Sequence, residues 1–174
     1  MLDASGAILR DFNIPTQHAV VSMGPLWTLT RTQTNGIGQL GLTEFGGLVP
    51  TFAPHRVQTA MVTSPERTSV ACPALAVTLN QDVAVGFTTA SPAHYASAYI
   101  TGRRSYDPPG TLRPVQKVAT GQAPFYPLSG QVIRMDYCDA ATTPKNDTLL
   151  FALNYSGRFD LVTRVIPVIV SQNP

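Results

Sequence analysis

The sequence predicts an all-β protein: an antiparallel sandwich or barrel of roughly eight short strands, with one or two short helices. Three observations predict it. Apolar residues alternate with period two in segment after segment. In residues 83–87, for example, Val83, Val85 and Phe87 share one face while Ala84 and Gly86 share the other. Turn signals such as Ser64-Pro65, Pro108-Pro109-Gly110, Ser129-Gly130 and Thr143-Pro144 separate these segments. Charged residues make up only 13% of the chain, against roughly 25% in an average soluble protein. Pro, Thr, Ser, Ala and Val fill the space, and β-branched residues suit a pleated surface.

Residues 1–24 are mixed in character and broken by Pro15, with Pro25 just beyond; they predict an arm or irregular lead-in before a shell domain spanning 25–174. Residues 26–34 (LWTLTRTQT) are Thr-rich and strand-like, whereas 35–47 read as a loose, Gly-rich loop. Residues 57–63 form a strand ending at Ser64-Pro65. Residues 75–79 alternate Leu75, Val77 and Leu79, then meet Asn80-Gln81-Asp82 and the strand at 83, a three-residue hairpin lacking the usual Gly. The best short helix is 91–102, with Ser91 as N-cap, Pro92 at the first helical position and Gly102 past the end. A Pro- and Arg-containing loop (102–114) follows, then strands at 115–119, 131–137, 148–155 and 158–170. Pro167 makes the last of these an edge or bulged strand. An apolar edge strand invites aggregation unless something covers it, and ordered assembly would cover it.

The 174 residues suit one domain with a substantial core. A net charge of +2 gives no strong electrostatic signal for nucleic acid. Ten of the twelve cations are Arg. Cys72 and Cys138 lie in no CxxC and have no His at metal-ligand spacing, so they read as free, partly buried thiols. The N-terminal stretch carries Asp3 and no continuous apolar run, and does not read as a signal peptide. Without one, the Asn146 and Asn154 sequons are chance matches. The longest wholly apolar run, 165–170, is far too short to span a bilayer.

Motif by motif, little chemistry emerges. Gly36-x-Gly38-x-x-Gly41 matches a dinucleotide fingerprint, but Gly46-Gly47 and Pro50 arrive before the required helix could form. His18, His55 and His94 are scattered, and there is no nucleophile elbow. Asp136, Asp139 and Asp147 read as solvated turn carboxylates rather than a calcium site. The expectation is therefore a non-enzyme without cofactor or metal. The densest functional signal is Arg103, Arg104, Arg113 and Lys117 gathered around Asp107, with Tyr95, Tyr99 and Tyr106 close by. Arg and Tyr are enriched in protein interfaces, and the same residue types contact phosphates and stack on bases. Tyr99, Tyr106, Arg113 and Lys117 are the candidate subunit-interface residues; Arg10, Arg31, Arg103 and Arg104 are the candidate RNA contacts.

From about residue 48 the order of signals resembles the jelly-roll coat proteins of small icosahedral positive-strand RNA viruses, most closely the tymovirus-like group. Residues 48–66 (LVPTFAPHRVQTAMVTSPE) are similar to that family's second main strand, with Pro54-His55-Arg56 where the family has an aromatic-Arg-His lead-in. Residues 83–92 (VAVGFTTASP) look like the next strand, and TLLFALNYSG followed by FDLVTRVIPVIV looks like the closing pair. The resemblance implies an eight-stranded antiparallel jelly-roll sandwich. It also implies a large homo-oligomeric shell of T=3 type, built in the host cytoplasm, enclosing single-stranded RNA without a membrane. Tymovirus-like coats lack a strongly basic N-terminal arm, as does this chain. The alternative is a monomeric carbohydrate-binding or adhesin-like β-sandwich, in which Tyr95, Tyr99, Tyr106 and Tyr126 stack on sugars. A cupin-type enzyme is a third possibility, and the scattered histidines argue against it.

Overall fold

The computed structural model describes residues 16–21, 25–34, 37–46, 53–64, 69–91, 94–123, 138–143, 145, 148–158 and 161–169. Among them are eleven strands and no helix. These are β1 (Thr16–Val21), β2 (Leu26–Thr34), β3 (Ile37–Gly46), β4 (His55–Val62), β5 (Ser69–Val77), β6 (Val83–Ser91), β7 (His94–Arg103), β8 (Gln116–Ala119), β9 (Asp139–Thr142), β10 (Thr148–Ser156) and β11 (Leu161–Ile169). All pairings are antiparallel, in three sheets ordered β1-β2-β3-β4, β5-β6-β7-β8 and β11-β10-β9.

The sheet β5–β8 lies between the other two. Its central strand β6 shows why. Every residue from Val83 to Ala90 is buried, so both faces of the strand are covered rather than one. Val83, Val85 and Phe87 pack with Trp27, Leu29, Leu40, Leu42 and Val62 of the first sheet. Phe87 stacks on Tyr99 of β7 with ring centroids 5.8 Å apart. On the opposite face Ala84 joins Ala98 and Ile100 of β7 against Leu149, Phe151 and Leu153 of β10. The small side chains set this second spacing. A Cβ on Gly86 would lie 2.7 Å from Leu153 Cδ2 and 2.8 Å from Phe151 Cδ1. Glycine is what lets β10 approach, as the small Ala84/Gly86 face suggests, and the Thr88 hydroxyl then donates to the Asn154 carbonyl at 2.7 Å.

Several expectations are corrected. In place of the helix expected at 91–102, Ser91 ends β6 and His94–Arg103 form strand β7, paired with β6 from Ser91↔His94 to Val83↔Arg103. The cap-like residues serve other ends. The Ser91 hydroxyl and His94 Nδ1 are hydrogen-bonded at 2.7 Å across the hairpin. A Cβ on Gly102 would lie 2.4 Å from the Val83 carbonyl. Eight neighbouring ladder positions and a small-residue face toward β10 outweigh weak capping signals. The loose loop at 35–47 contains β3, whose Leu40 and Leu42 reach the core. Residues 16–21, grouped with the irregular lead-in, form β1 and pair with β2. The strand expected at 75–79 starts earlier, at Ser69, and ends at Val77, leaving Leu79 exposed in the hairpin. In that hairpin Gln81 takes the positive φ (64°) that Gly usually supplies. The strand expected at 131–137 lies outside the described residues.

The all-β, sandwich-like expectation holds, with antiparallel strands in layered sheets; eight strands in jelly-roll order are not what the described residues display. A jelly roll interleaves strands distant in sequence. Here, among the described residues, every pairing joins strands consecutive along the chain. Three stacked sheets result. Pro167 does mark an edge: β11 ends its sheet, with Pro167 opposite Leu150.

Cys72 and Cys138 form a disulfide rather than two free thiols, with Cα atoms 5.5 Å apart. A bulge in β5 between Ala71 and Ala74 holds Cys72 at φ 48°. Bulges re-aim side chains, and this one accompanies the bridge from the β5 edge to the start of β9. Pro73 is accommodated in the same bulge on an edge strand.

Candidate functional site

The Arg-rich segment after β7 is an ordered loop clamped by two carboxylates. Asp107 accepts from the Arg104 backbone N–H at 2.7 Å, and from Arg113 Nε and Nη2 at 2.8 and 2.9 Å in a bidentate fork. Asp82, in the β5–β6 hairpin, accepts from the Ser105 N–H at 2.9 Å and from Arg104 Nη1 at 3.3 Å. The Arg113 fork, with the Arg104 N–H, holds the Asp107 carboxyl down at about 2, below the ordinary value of 3.8. The same pairing raises the Arg113 guanidinium. Pro108 to Thr111 make a type II turn, with Gly110 at φ 75° and the Thr111 N–H donating to the Pro108 carbonyl at 3.2 Å. The Gly110 N–H donates to Gln58 Oε1 of β4 at 2.8 Å, tying the loop to the first sheet.

This geometry sorts the sequence-predicted residues. Arg103 is 5% exposed; Nη2 donates to the Asp107 carbonyl at 2.7 Å and its guanidinium lies 5.9 Å from the Trp27 ring centre. Arg31 is buried on β2, where Nε donates to the Val70 carbonyl at 3.1 Å and burial lowers its pKa. Both hold sheets together inside the chain and present no guanidinium to solvent for RNA. Arg104 is committed to Asp82, and Arg10 lies outside the described residues. Tyr99, expected at an interface, is 2% exposed in the core, with Lys117 Nζ 5.3 Å from its ring centre. Tyr106 and Arg113 do face solvent. Tyr106 is 65% exposed, and the Arg113 guanidinium stands 5.8 Å from its ring centre. A stacked Tyr–Arg pair on a rigid loop is a good interface anchor, because little entropy remains to be lost on contact. Tyr99 is buried and so takes no part in the sugar-stacking platform of the alternative reading, and Tyr126 lies outside the described residues.

A second surface was not singled out from the sequence. On the outer face of the first sheet, Thr28, Thr43 and Thr59 form one cross-strand row, and Thr30, Gly41 and Met61 form the next. The Thr43 and Thr59 hydroxyls are 3.3 Å apart, and the Thr30 hydroxyl donates to the Gly41 carbonyl at 3.2 Å. Leu26 pairs with Phe45 beside the Thr row, and Val57 is half exposed at the same end. Arg56, opposite Phe45 in the same row, is exposed and brings a charge to that end of the face. The signal available beforehand was the run Thr28, Thr30, Thr32, Thr34 at alternating positions.

Among the described residues no group of three His, Cys, Asp or Glu could hold a metal ion, and no helix is long and apolar enough to cross a membrane. No family model, curated protein or solved structure matches the chain.

Proposed function

We propose that this chain is a viral coat protein, a subunit that associates with copies of itself into a shell around single-stranded RNA. One observation carries the reading. Strand β11 is nine residues long, pairs only with β10 among the described residues, and leaves Val165 65% exposed. A long apolar edge is a template for uncontrolled pairing unless assembly covers it. The low overall charge and the exposed, anchored Tyr106–Arg113 pair support the same reading, as does the resemblance in residues 48–170. The role rests on the exposed edge strand and not on jelly-roll connectivity.

RNA in such a shell meets few free cations, since the net charge is +2 and Arg31 and Arg103 are buried. Small counterions then carry most of the phosphate neutralisation. Assembly belongs to the host cytoplasm and the mature protein to the virion. The Cys72–Cys138 bridge suits the released particle, which has left the reducing cytosol.

Electron microscopy of the purified protein, with the 260/280 nm absorbance ratio of the same fraction, tests this. Uniform spherical particles with a nucleic-acid ratio are expected. A protein that stays monomeric across salt, pH and added RNA overturns the proposal.

A further inference from the structure

We propose that the rim where strands β8 and β11 meet binds the phosphate backbone of single-stranded RNA, with Tyr106 as a base-stacking platform at one end. The proposal rests on the coat-protein reading above and names its RNA contact. Three observations carry it.

The first is charge. Strands β7, β8, β10 and β11 contain no Asp or Glu. Their exposed cations are Lys117 and Arg164, and neither is ion-paired among the described residues. Arg104 and Arg113, by contrast, already hold Asp82 and Asp107. Two exposed cations without a carboxylate in the four strands around them attract an anion. They oppose the same rim of a second copy, because a two-fold contact would set like charge against like.

The second is placement. β8 and β11 are edges of different sheets, yet Arg164 Nη1 donates to the Val118 carbonyl at 3.2 Å. That bond ties the two rims together and sets Arg164 against the residue after Lys117. A guanidinium has five N–H donors, so Arg164 keeps others for a phosphate. Lys117 Nζ is held 5.3 Å from the Tyr99 ring centre. With both cationic heads held in place, little ordering cost remains on binding. Ile166 and Val168 pack into the second core, and Arg164 shares their face of β11. Val165 leaves from the opposite face and stays available to a neighbouring subunit.

The third is direction. The chain from Arg113 to Ala119 runs alongside β7: the Thr101 hydroxyl donates to the Arg113 carbonyl at 2.6 Å, and Tyr99 and Ala98 pair with Lys117 and Ala119. Residues 113–118 therefore span roughly 17 Å at about 3.3 Å per residue. At the Arg113 end stands Tyr106, 65% exposed, with the Arg113 guanidinium 5.8 Å from its ring centre. An unpaired base can stack on this ring while its phosphates follow the cations; in a duplex the bases are already stacked and paired.

The test follows binding of a labelled oligouridylate of about 12 nucleotides to the full chain by fluorescence anisotropy, between about 50 and 200 mM salt. Each phosphate contact with a single strand adds about 0.7 to the slope of log affinity against log salt. The Lys117→Gln, Arg164→Gln double variant, checked for folding by circular dichroism, should have a slope shallower than the parent's by about 1.4, and Lys117→Gln alone by about 0.7. Tyr106→Ala should weaken binding about fivefold or more at an unchanged slope. Arg56→Gln, which removes an exposed cation from the first sheet, should bind like the parent. An unchanged slope in folded Lys117→Gln overturns the proposal. So does an equal loss in Arg56→Gln, since binding then follows diffuse charge, and so does a parent that binds no oligouridylate at the lowest salt. A Tyr106→Ala chain that binds like the parent overturns the single-strand assignment. Particles that package RNA undiminished by the double variant would sink this contact and leave the coat-protein reading standing. A chain that binds the oligonucleotide through this rim yet never forms particles would do the reverse.

Discussion

Reducing the Cys72–Cys138 bridge should cost this protein a large part of its stability. The bridge joins residues 66 apart in sequence. In the chain-entropy account, opening a loop of that length frees the unfolded chain by about 4 kcal/mol at 25 °C, and measured values for native bridges run from about 2 to 5 kcal/mol. The folded state gains little in return. Cys138 is 8% exposed and belongs to the core cluster of β10, so its thiol would stay buried. With an m-value of about 2 kcal/mol/M, the urea midpoint should fall by about 1–2 M in excess dithiothreitol. The Cys72→Ser, Cys138→Ser double variant should fall as far without reductant. The curves are best recorded at low protein concentration, where self-association adds least to apparent stability. Two free thiols titrating in denaturant without reductant would remove the bridge altogether. A confirmed bridge with coincident oxidised and reduced curves would refute the entropic reasoning and place residual structure across residues 72–138 in the unfolded chain.

Two further outcomes follow from particular contacts. Gly86→Ala should destabilise by about 1–3 kcal/mol in thermal or urea unfolding, because the added methyl meets Leu153 and Phe151 in a packed core with no room to retreat; a neutral effect would show that β6 and β10 are not in contact there. The Asp107 carboxyl is held at about 2, so its contribution is fully present above the unfolded value of roughly 3.9 and is lost as pH falls through about 2. Between pH 5 and pH 2 the parent should therefore lose more thermal stability than Asp107→Asn, and parallel losses would refute the Arg113 fork as the cause.

Much of the strand content was legible from local pattern. β2 coincides with the Thr-rich run, and β4, β6, β8, β10 and β11 lie within a few residues of the alternating segments. Those segments bury one or both faces, and burial imposes the period-two signal that local reading detects. The Pro108-Pro109-Gly110 turn and the edge position of Pro167 were readable for the same kind of reason: backbone chemistry restricts where those residues fit. β3 was hidden because glycines interrupt the pattern around Leu40 and Leu42. β7 was hidden because its Ala- and Gly-rich face resembles a weak helix.

The candidate site was half legible. Tyr106 and Arg113 are exposed on the loop where the residue types gather, whereas Tyr99, Arg31 and Arg103 are buried. Nothing in a residue's type states whether its strand is covered on one face or two. The Thr28–Thr43–Thr59 row of the first sheet was equally invisible, since it needs three strands aligned in register.

By itself, then, the sequence determined that the chain is β-rich, weakly charged, turn-punctuated and left with an apolar edge near its end. These are consequences of local backbone preference and composition. Only the tertiary structure decided that the described strands form three sheets in which consecutive strands pair, that Cys72 meets Cys138, and which of the described arginines are core. Each of those depends on contacts between residues far apart along the chain, where the deciding energy lies in packing complementarity such as Gly86 against Phe151.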